Sequence, residues 1–276
     1  MEVSEDAAGL RPVLILGGTS EATELLKLLS GLAQFAVTLS LAGRTSKPAK
    51  SAFLTRIGGF GGPEGLATWL TEGRIARVVD ATHPFAARIS QNTATACAQV
   101  GVPLLAIRRP AWKPVAGDAW TEVADMSEAA AALGPLPRRV ALTIGRQELA
   151  AFGAAPQHDY VARTIERVGD LVSLPKLTEI SARGPFAVDE EIAFLKETGT
   201  EVLVTKNSGG TATYAKIIAA RELGIPVIIV KRPDVPDVPS VQDAGQAKRW
   251  LTAPDASVRT KHAMTAKPHF GTLRGV

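Results

Sequence analysis

A chain of 276 residues with 46 % hydrophobic and 21 % charged content is globular, of one large or two ordinary domains, and is neither disordered nor fibrous. A net charge of +4, 5 % aromatic content and no basic run argue against nucleic acid as a partner and leave room for an anionic small molecule. The longest apolar stretches, residues 13–16 and 227–230, fall far short of the roughly 18 residues that cross a bilayer, so no membrane span is expected.

Residues 1–11 are acidic and lack the apolar core of a signal peptide, and a lone Cys97 makes no internal disulfide; the expected compartment is the cytoplasm. Cys97 lies in an alanine-rich helical pattern and reads as a packed small residue. His83, His158, His262 and His269 have no metal-ligand spacing, so no metal centre is expected.

In chain order, short β-branched runs alternate with amphipathic helices, the pattern of a parallel α/β architecture. Strands are expected at residues 12–16, 36–42, 55–57, 77–81 and 103–108, with helices to about residue 29, at 63–72 and at 85–100. Two prolines and a tryptophan break the pattern at 109–114. A second series follows: strands at 139–144, 159–164, 201–205 and 226–230, and helices at 147–152, 188–198, 213–223 and 243–251. The fold class read from this is α/β, with two Rossmann-like parallel sheets of four or five strands each and a cleft between them. The expected divisions are 12–112, 113–253 and a flexible tail at 254–276.

Ligands of open α/β sheets lie beyond the carboxyl ends of the strands, and the informative residues fall there. Leu16-Gly17-Gly18-Thr19-Ser20-Glu21 joins the first strand to the first helix. Its glycines let backbone amides approach phosphate, and Thr19 and Ser20 can cap the helix or donate to phosphate. Tight strand–helix packing is the plain alternative. About 20 residues on, where an NAD site carries an acid, the sequence has none and offers Arg44 and Thr45 instead, suited to a 2′-phosphate. NADPH is therefore preferred over NADH. Gly58-Gly59-Phe60-Gly61-Gly62 fits a ligand approach, a mobile loop or a packing turn. Asp80-Ala81-Thr82-His83-Pro84-Phe85-Ala86 places Asp80, Thr82 and His83 on the ligand side. His83 can act there as general acid, hydrogen-bond donor or structural residue. Three further turns carry cations: Thr143-Ile144-Gly145-Arg146, Thr205-Lys206-Asn207-Ser208-Gly209-Gly210 and Lys231-Arg232-Pro233.

Taken together, these segments resemble the precorrin-6A reductase family (the CobK/CbiJ family) of corrin-ring biosynthesis, from about residue 12 to 251. Ala42-Gly43-Arg44 belongs to the set, and the His-Pro-Phe-Ala and Lys-Asn-Ser-Gly-Gly segments are its specific carriers. The resemblance implies NADPH-dependent reduction of one double bond of precorrin-6A to give precorrin-6B in cobalamin biosynthesis. Hydride would go to a ring carbon and a proton to its neighbour, with the product passed to other enzymes of the corrin pathway. Read with strand-end geometry, Gly17, Gly18, Thr19 and Ser20 would hold the pyrophosphate and Arg44 with Thr45 the 2′-phosphate, with Glu21 also counted among the cofactor residues. Thr82 and His83 would lie near the nicotinamide. His83, Arg146, Lys206, Asn207, Ser208 and Lys231 would receive the substrate, and His83 is the candidate catalytic residue. No motif separates a metal-free from a cobalt-containing substrate. Another NADPH reductase of an anionic substrate, or a nucleotide-sensing protein, would share the Gly17 turn.

Overall fold

A computed structural model describes residues 9–43, 52–169 and 174–254. The chain begins with β1 (Arg11–Leu16), α1 (Ser20–Leu29), β2 (Phe35–Leu41), β3 (Leu54–Ile57) and α2 (Gly62–Glu72), followed by β4 (Arg77–Asp80), α3 (Ala87–Val100) and β5 (Leu104–Ile107). It continues with β6 (Trp120–Val123), α4 (Met126–Ala132), β7 (Arg139–Thr143), a 3₁₀ segment (Arg146–Ala154), β8 (Asp159–Thr164) and β9 (Leu177–Ser181). Then come α5 (Val188–Glu197), β10 (Val202–Lys206), α6 (Ala215–Glu222), β11 (Val227–Val230), β12 (Ser240–Val241) and α7 (Ala244–Thr252).

Two six-stranded parallel sheets result, in the orders β12-β5-β4-β1-β2-β3 and β6-β11-β10-β7-β8-β9. The expected α/β class holds, but each sheet is larger than the four or five strands expected. The additions are edge strands. Trp120–Val123 and Leu177–Ser181 are mostly half-buried or exposed, so they lack the continuous apolar run that marks a central parallel strand. Met126–Ala132, also unforeseen, is a short alanine-rich helix capped by Asp125, whose carboxylate accepts from the Ser127 and Glu128 amides.

The division at residue 112 falls in the crossing between the two sheets, but a single cut does not separate them. After β5 the chain crosses to the second sheet and sets β6 beside β11; after β11 it returns and sets β12 beside β5. The returning α7 packs on α1, burying Ala244, Ala247 and Leu251 with Leu25 and Leu29. Arg77 fastens its end, donating to the carbonyls of Trp250, Leu251 and Ala253. Residues 240–252, expected with the second unit, thus complete the first. The tail expected at 254–276 lies, from residue 255 on, outside the described residues.

Helices cover both faces of each sheet, so the central strands are buried throughout. In β1, Val13 and Ile15 enter one core and Leu14 and Leu16 the opposite one. All four are at most 2 % exposed, and each contributes about 1.5–3 kcal/mol by leaving water. In the second sheet Val140 and Leu142 face one core and Ala141 and Leu203 the other. Among the described residues no helix is long and apolar enough to cross a membrane.

The sheets meet where residues 108–112 pack against the turn after β10. Trp112 N donates to Asn207 Oδ1 at 2.8 Å, and Asn207 Nδ2 returns a bond to Trp112 O at 3.0 Å. Arg232 donates to the carbonyls of Asn207, Ser208, Arg109 and Pro110. Gly209 stands at φ +66°, and a Cβ there would overlap Arg232 Nη2 and the Pro110 carbonyl. Gly209→Ala should therefore destabilise the fold by about 1–3 kcal/mol through overpacking. Thermal unfolding of the variant beside wild type checks this; an unchanged midpoint would show that the contact yields freely.

Candidate active site

In each sheet the chain runs outward in opposite directions from two central neighbours, β1 and β4 in the first and β7 and β10 in the second. Such switch points open a crevice beyond the carboxyl ends of the strands. At the first, the two glycines of the Gly17-Gly18 turn do different work. A Cβ on Gly17 would stand 2.6 Å from Leu39 Cδ1 and 3.3 Å from the Ala22 Cβ, so this residue packs α1 onto the sheet. Gly18, at φ +110°, has no described atom within 4 Å of a Cβ position, which leaves its backbone open to close approach. Thr19 caps α1, accepting from Ala22 N at 3.2 Å, while its hydroxyl donates to Ala81 O at 2.7 Å. Ser20 donates to Glu21 Oε2 at 3.1 Å.

Glu21, expected among the cofactor residues, is held instead by Arg109 through two bonds of 2.7 and 2.6 Å. Burial works against its charge, but the Arg109 guanidinium, with the hydrogen bonds from its own backbone and from Ser20, keeps the carboxyl below its ordinary range. The pairing neutralises the one acid in the first turn of α1, which would otherwise repel a phosphate there. Arg44 and Thr45 lie outside the described residues. A cation not foreseen from the sequence stands on β3: Arg56 Nη1 donates to Ser40 Oγ at 3.1 Å and to Gly58 O at 2.9 Å, and Nη2 to Gly59 O at 2.9 Å. Its guanidinium also covers the Phe60 ring at 3.6 Å, so the glycine cluster is a loop wrapped on Arg56.

At the end of β4 a buried carboxylate organises the exit. Asp80, 1 % exposed, accepts from Thr82 N at 3.1 Å, Thr82 Oγ1 at 2.6 Å, Ser90 Oγ at 2.6 Å and Arg108 Nη2 at 2.8 Å. Burial alone would raise its pKa; the Arg108 charge and the Ser90 and Thr82 hydroxyls bring it below the ordinary value of 3.8. The Thr82 hydroxyl, expected to face the cofactor, is thus committed to Asp80. Cys97 is buried nearby; burial, with the Asp80 charge, pushes its thiol up to about 12 and makes it a poor nucleophile.

The turn that Asp80 holds carries His83 across to the second sheet. Phe85 N donates to His83 Nδ1 at 3.2 Å, and His83 Nε2 meets Ser208 Oγ at 3.2 Å. Because Nδ1 accepts an amide proton, the Nε2 position carries the ring hydrogen and donates to the serine.

That junction is one wall of a cavity of about 360 Å³ at the second switch point. Arg146 and Glu166 line it as an ion pair at 3.2 Å, and Lys206 is held by both oxygens of Glu148 at 2.9 Å. Glu148 also accepts from Gly145 N at 2.8 Å, which ties the lysine to the Arg146 turn. Arg163 and Lys216, unforeseen from sequence, complete the cations. Arg163 grips Glu191 at 2.7 and 2.8 Å between the rings of Phe186 and Phe194.

The structure thus gathers His83, Arg146, Lys206 and Ser208 at one cavity. It does not bring Asn207 or Lys231 there. Asn207 faces the other way along the turn and is buried against Trp112. Lys231 leaves β11, one strand out from the switch point, and is an exposed partner of Glu122 at 3.6 Å. Arg163 and Lys216 sit on a strand and a helix, where a sequence pattern gives no hint that they face a site.

Replacing Asp80 by asparagine leaves Arg108 without its counter-charge and should cost about 3 kcal/mol at neutral pH. The Asp80 carboxyl is depressed in the folded state, so its contribution is present above about pH 3.8 and is lost as pH falls below that through the folded value. The gap between wild type and Asp80→Asn in urea unfolding should therefore narrow in acid; a pH-independent gap would contradict this account.

Known proteins match this arrangement over almost all of its length. Residues 12–252 fit the family model described as precorrin-6x reductase CbiJ/CobK. A protein of Sinorhizobium sp named precorrin-6A reductase is 52 % identical over 243 residues, covering 87 % of this chain and 93 % of its own. One of that name from Rhodobacter capsulatus is 47 % identical, covering 81 % and 89 %. A solved structure titled CobK precorrin-6A reductase superposes with a TM-score of 0.84 at 45 % identity, covering 88 % of this chain and 96 % of that one. The chain is a member of the precorrin-6x reductase family of oxidoreductases.

Proposed function

We propose that the protein reduces precorrin-6A to precorrin-6B with NADPH, taking the cofactor at the first crevice and the tetrapyrrole at the second. The observation that carries the reading is the His83–Ser208 bond, which sets the two switch-point crevices against each other so that reductant and substrate can meet between them. The names of the relatives support the substrate and favour its metal-free form.

The residues at the first crevice suit a dinucleotide. Gly18 offers open backbone and the α1 N-terminus offers amides with no partner inside the helix. Gly17, Gly18, Thr19 and Ser20 would hold the pyrophosphate, with Arg109 masking Glu21. Arg44 and Thr45 would take the 2′-phosphate. When bound, NADPH supplies the hydride; the protein supplies position and charge.

At the second crevice, Arg146, Lys206 and Ser208 would receive carboxylate arms of the macrocycle, exchanging the Glu166 and Glu148 contacts for substrate ones. His83 would stand where both ligands meet, its Nε2–H donating to Ser208 or to substrate. The cavity suits the reacting edge of the ring or one arm, with the rest of the macrocycle extending out of it.

Anaerobic incubation with NADPH and precorrin-6A should oxidise the nicotinamide and shift the tetrapyrrole spectrum in step. NADPH that stays reduced in the presence of precorrin-6A would sink the reading. Arg44→Ala should weaken NADPH binding far more than NADH binding, measured by titration; equal losses would remove Arg44 from the 2′-phosphate site.

A further inference from the structure

The charges around the second cavity do not balance. Arg146 faces Glu166, Arg163 faces Glu191 and Lys206 faces Glu148, each within ion-pair distance. Lys216 is the remaining cation. It is 8 % exposed, lines the cavity from α6, and its Nζ donates to Thr143 Oγ1 at 3.2 Å. Among the described residues no carboxylate lies within ion-pair distance of it. An ammonium group so placed is costly to keep charged and has a ready use for a partner that takes its proton.

The groups facing it are Thr143 at the end of β7, Arg163 on β8, Lys206 on β10 and Glu191 on α5, and His83 also lines the cavity. None of these is as well placed to act as an acid. Arginine does not release a proton in a protein, Lys206 is clamped by Glu148, and His83 is engaged at both ring nitrogens, by Phe85 N and Ser208 Oγ.

We propose that Lys216 is the proton donor of the reduction, protonating the carbon next to the one that receives hydride. The proposal rests on the reductase reading above. One carbon of the substrate double bond accepts hydride from the reduced nicotinamide, and the π pair moves to its neighbour. That carbon takes a proton from Lys216 Nζ. The N–H bonding electrons stay on nitrogen as a neutral amine, which solvent reprotonates. One double bond and one proton are consumed, and the nicotinamide is oxidised by two electrons.

Burial pushes the Lys216 ammonium down to about 8; the Glu191 charge pulls it up, and Arg163 and Lys206 push it further down. A group titrating there is still charged at neutral pH and releases its proton with little driving force needed, as a general acid should. Because the protonated form is the active one, turnover should fall as pH rises through about 8.

The test is the rate of NADPH oxidation with precorrin-6A across neutral and alkaline pH, for wild type, Lys216→Met and Lys216→Arg. Methionine keeps the length and removes the buried charge, a change that folded cores accept. The expected result is an alkaline limb in wild type, a kcat lowered about 10²–10⁴-fold in Lys216→Met with the limb gone, and no rescue by arginine, which holds its proton. A wild-type profile flat through that range overturns the assignment whatever the variants do. So does a Lys216→Met deficit confined to the KM for the tetrapyrrole, or rescue by arginine; either would make Lys216 a carboxylate anchor. Wild-type protein that leaves NADPH unoxidised overturns the reductase reading itself, whereas active wild type beside an unimpaired Lys216→Met overturns the Lys216 role alone.

Discussion

The latch between residues 108–112 and the turn at 207–210 is the constraint on which the rest of the molecule depends. Arg232 donates to four carbonyls shared between the two segments, and Trp112 and Asn207 exchange bonds beside it. Two glycines with positive φ let the backbones come this close. Arg109 then reaches in both directions, to the Ser208 carbonyl at 2.7 Å and to Glu21 at the head of α1. A hydrogen-bonded path therefore joins the first helix of one sheet to the strand exit of the other. With the carboxyl ends of the sheets held together in this way, His83 and Ser208 can meet. The exchanged edge strands β6 and β12 reinforce the same relation, because each sheet is finished by chain that has just left the other.

The charge layout follows from that geometry. Asp80 sits behind the first crevice, buried and saturated by four donors, and holds the turn that carries His83. The cavity on the other side is lined by four cations and three matching acids. Three of the cations are already paired, which keeps them in place at modest desolvation cost. The fourth, Lys216, meets a neutral hydroxyl. The cavity thus divides its basic groups into three ion-paired cations and one, Lys216, that meets only a neutral hydroxyl.

Much of this is legible in the sequence, because parallel strands between helices are continuous apolar runs that end in glycine turns. The central strands and most helices fall within a residue or two of where the pattern predicts them. The expected site residues Gly17, Gly18, Thr19, His83, Arg146, Lys206 and Ser208 all stand at switch points, since strand ends are visible as places where an apolar run stops. Edge strands and the short helix at Met126–Ala132 carry no such signal; their exposed side chains are chosen for solvent as much as for the sheet.

The sequence by itself determined the α/β class, the family and the strand-end position of the glycine and cation turns, because these depend on periodicities within a few residues of one another. Only the tertiary structure decided which of those residues line the cavity. Asn207 and Lys206 are neighbours, yet one is locked into the latch and the other lines the cavity, since a turn sends adjacent side chains to opposite sides. Lys231 misses the site because its strand lies one place too far from the switch point. Glu21 and Thr82 are taken by Arg109 and Asp80, partners 88 and 2 residues away. Arg163 and Lys216 reach the cavity from a strand and a helix, and both lie close to Glu191, a property of three-dimensional packing that no local pattern records.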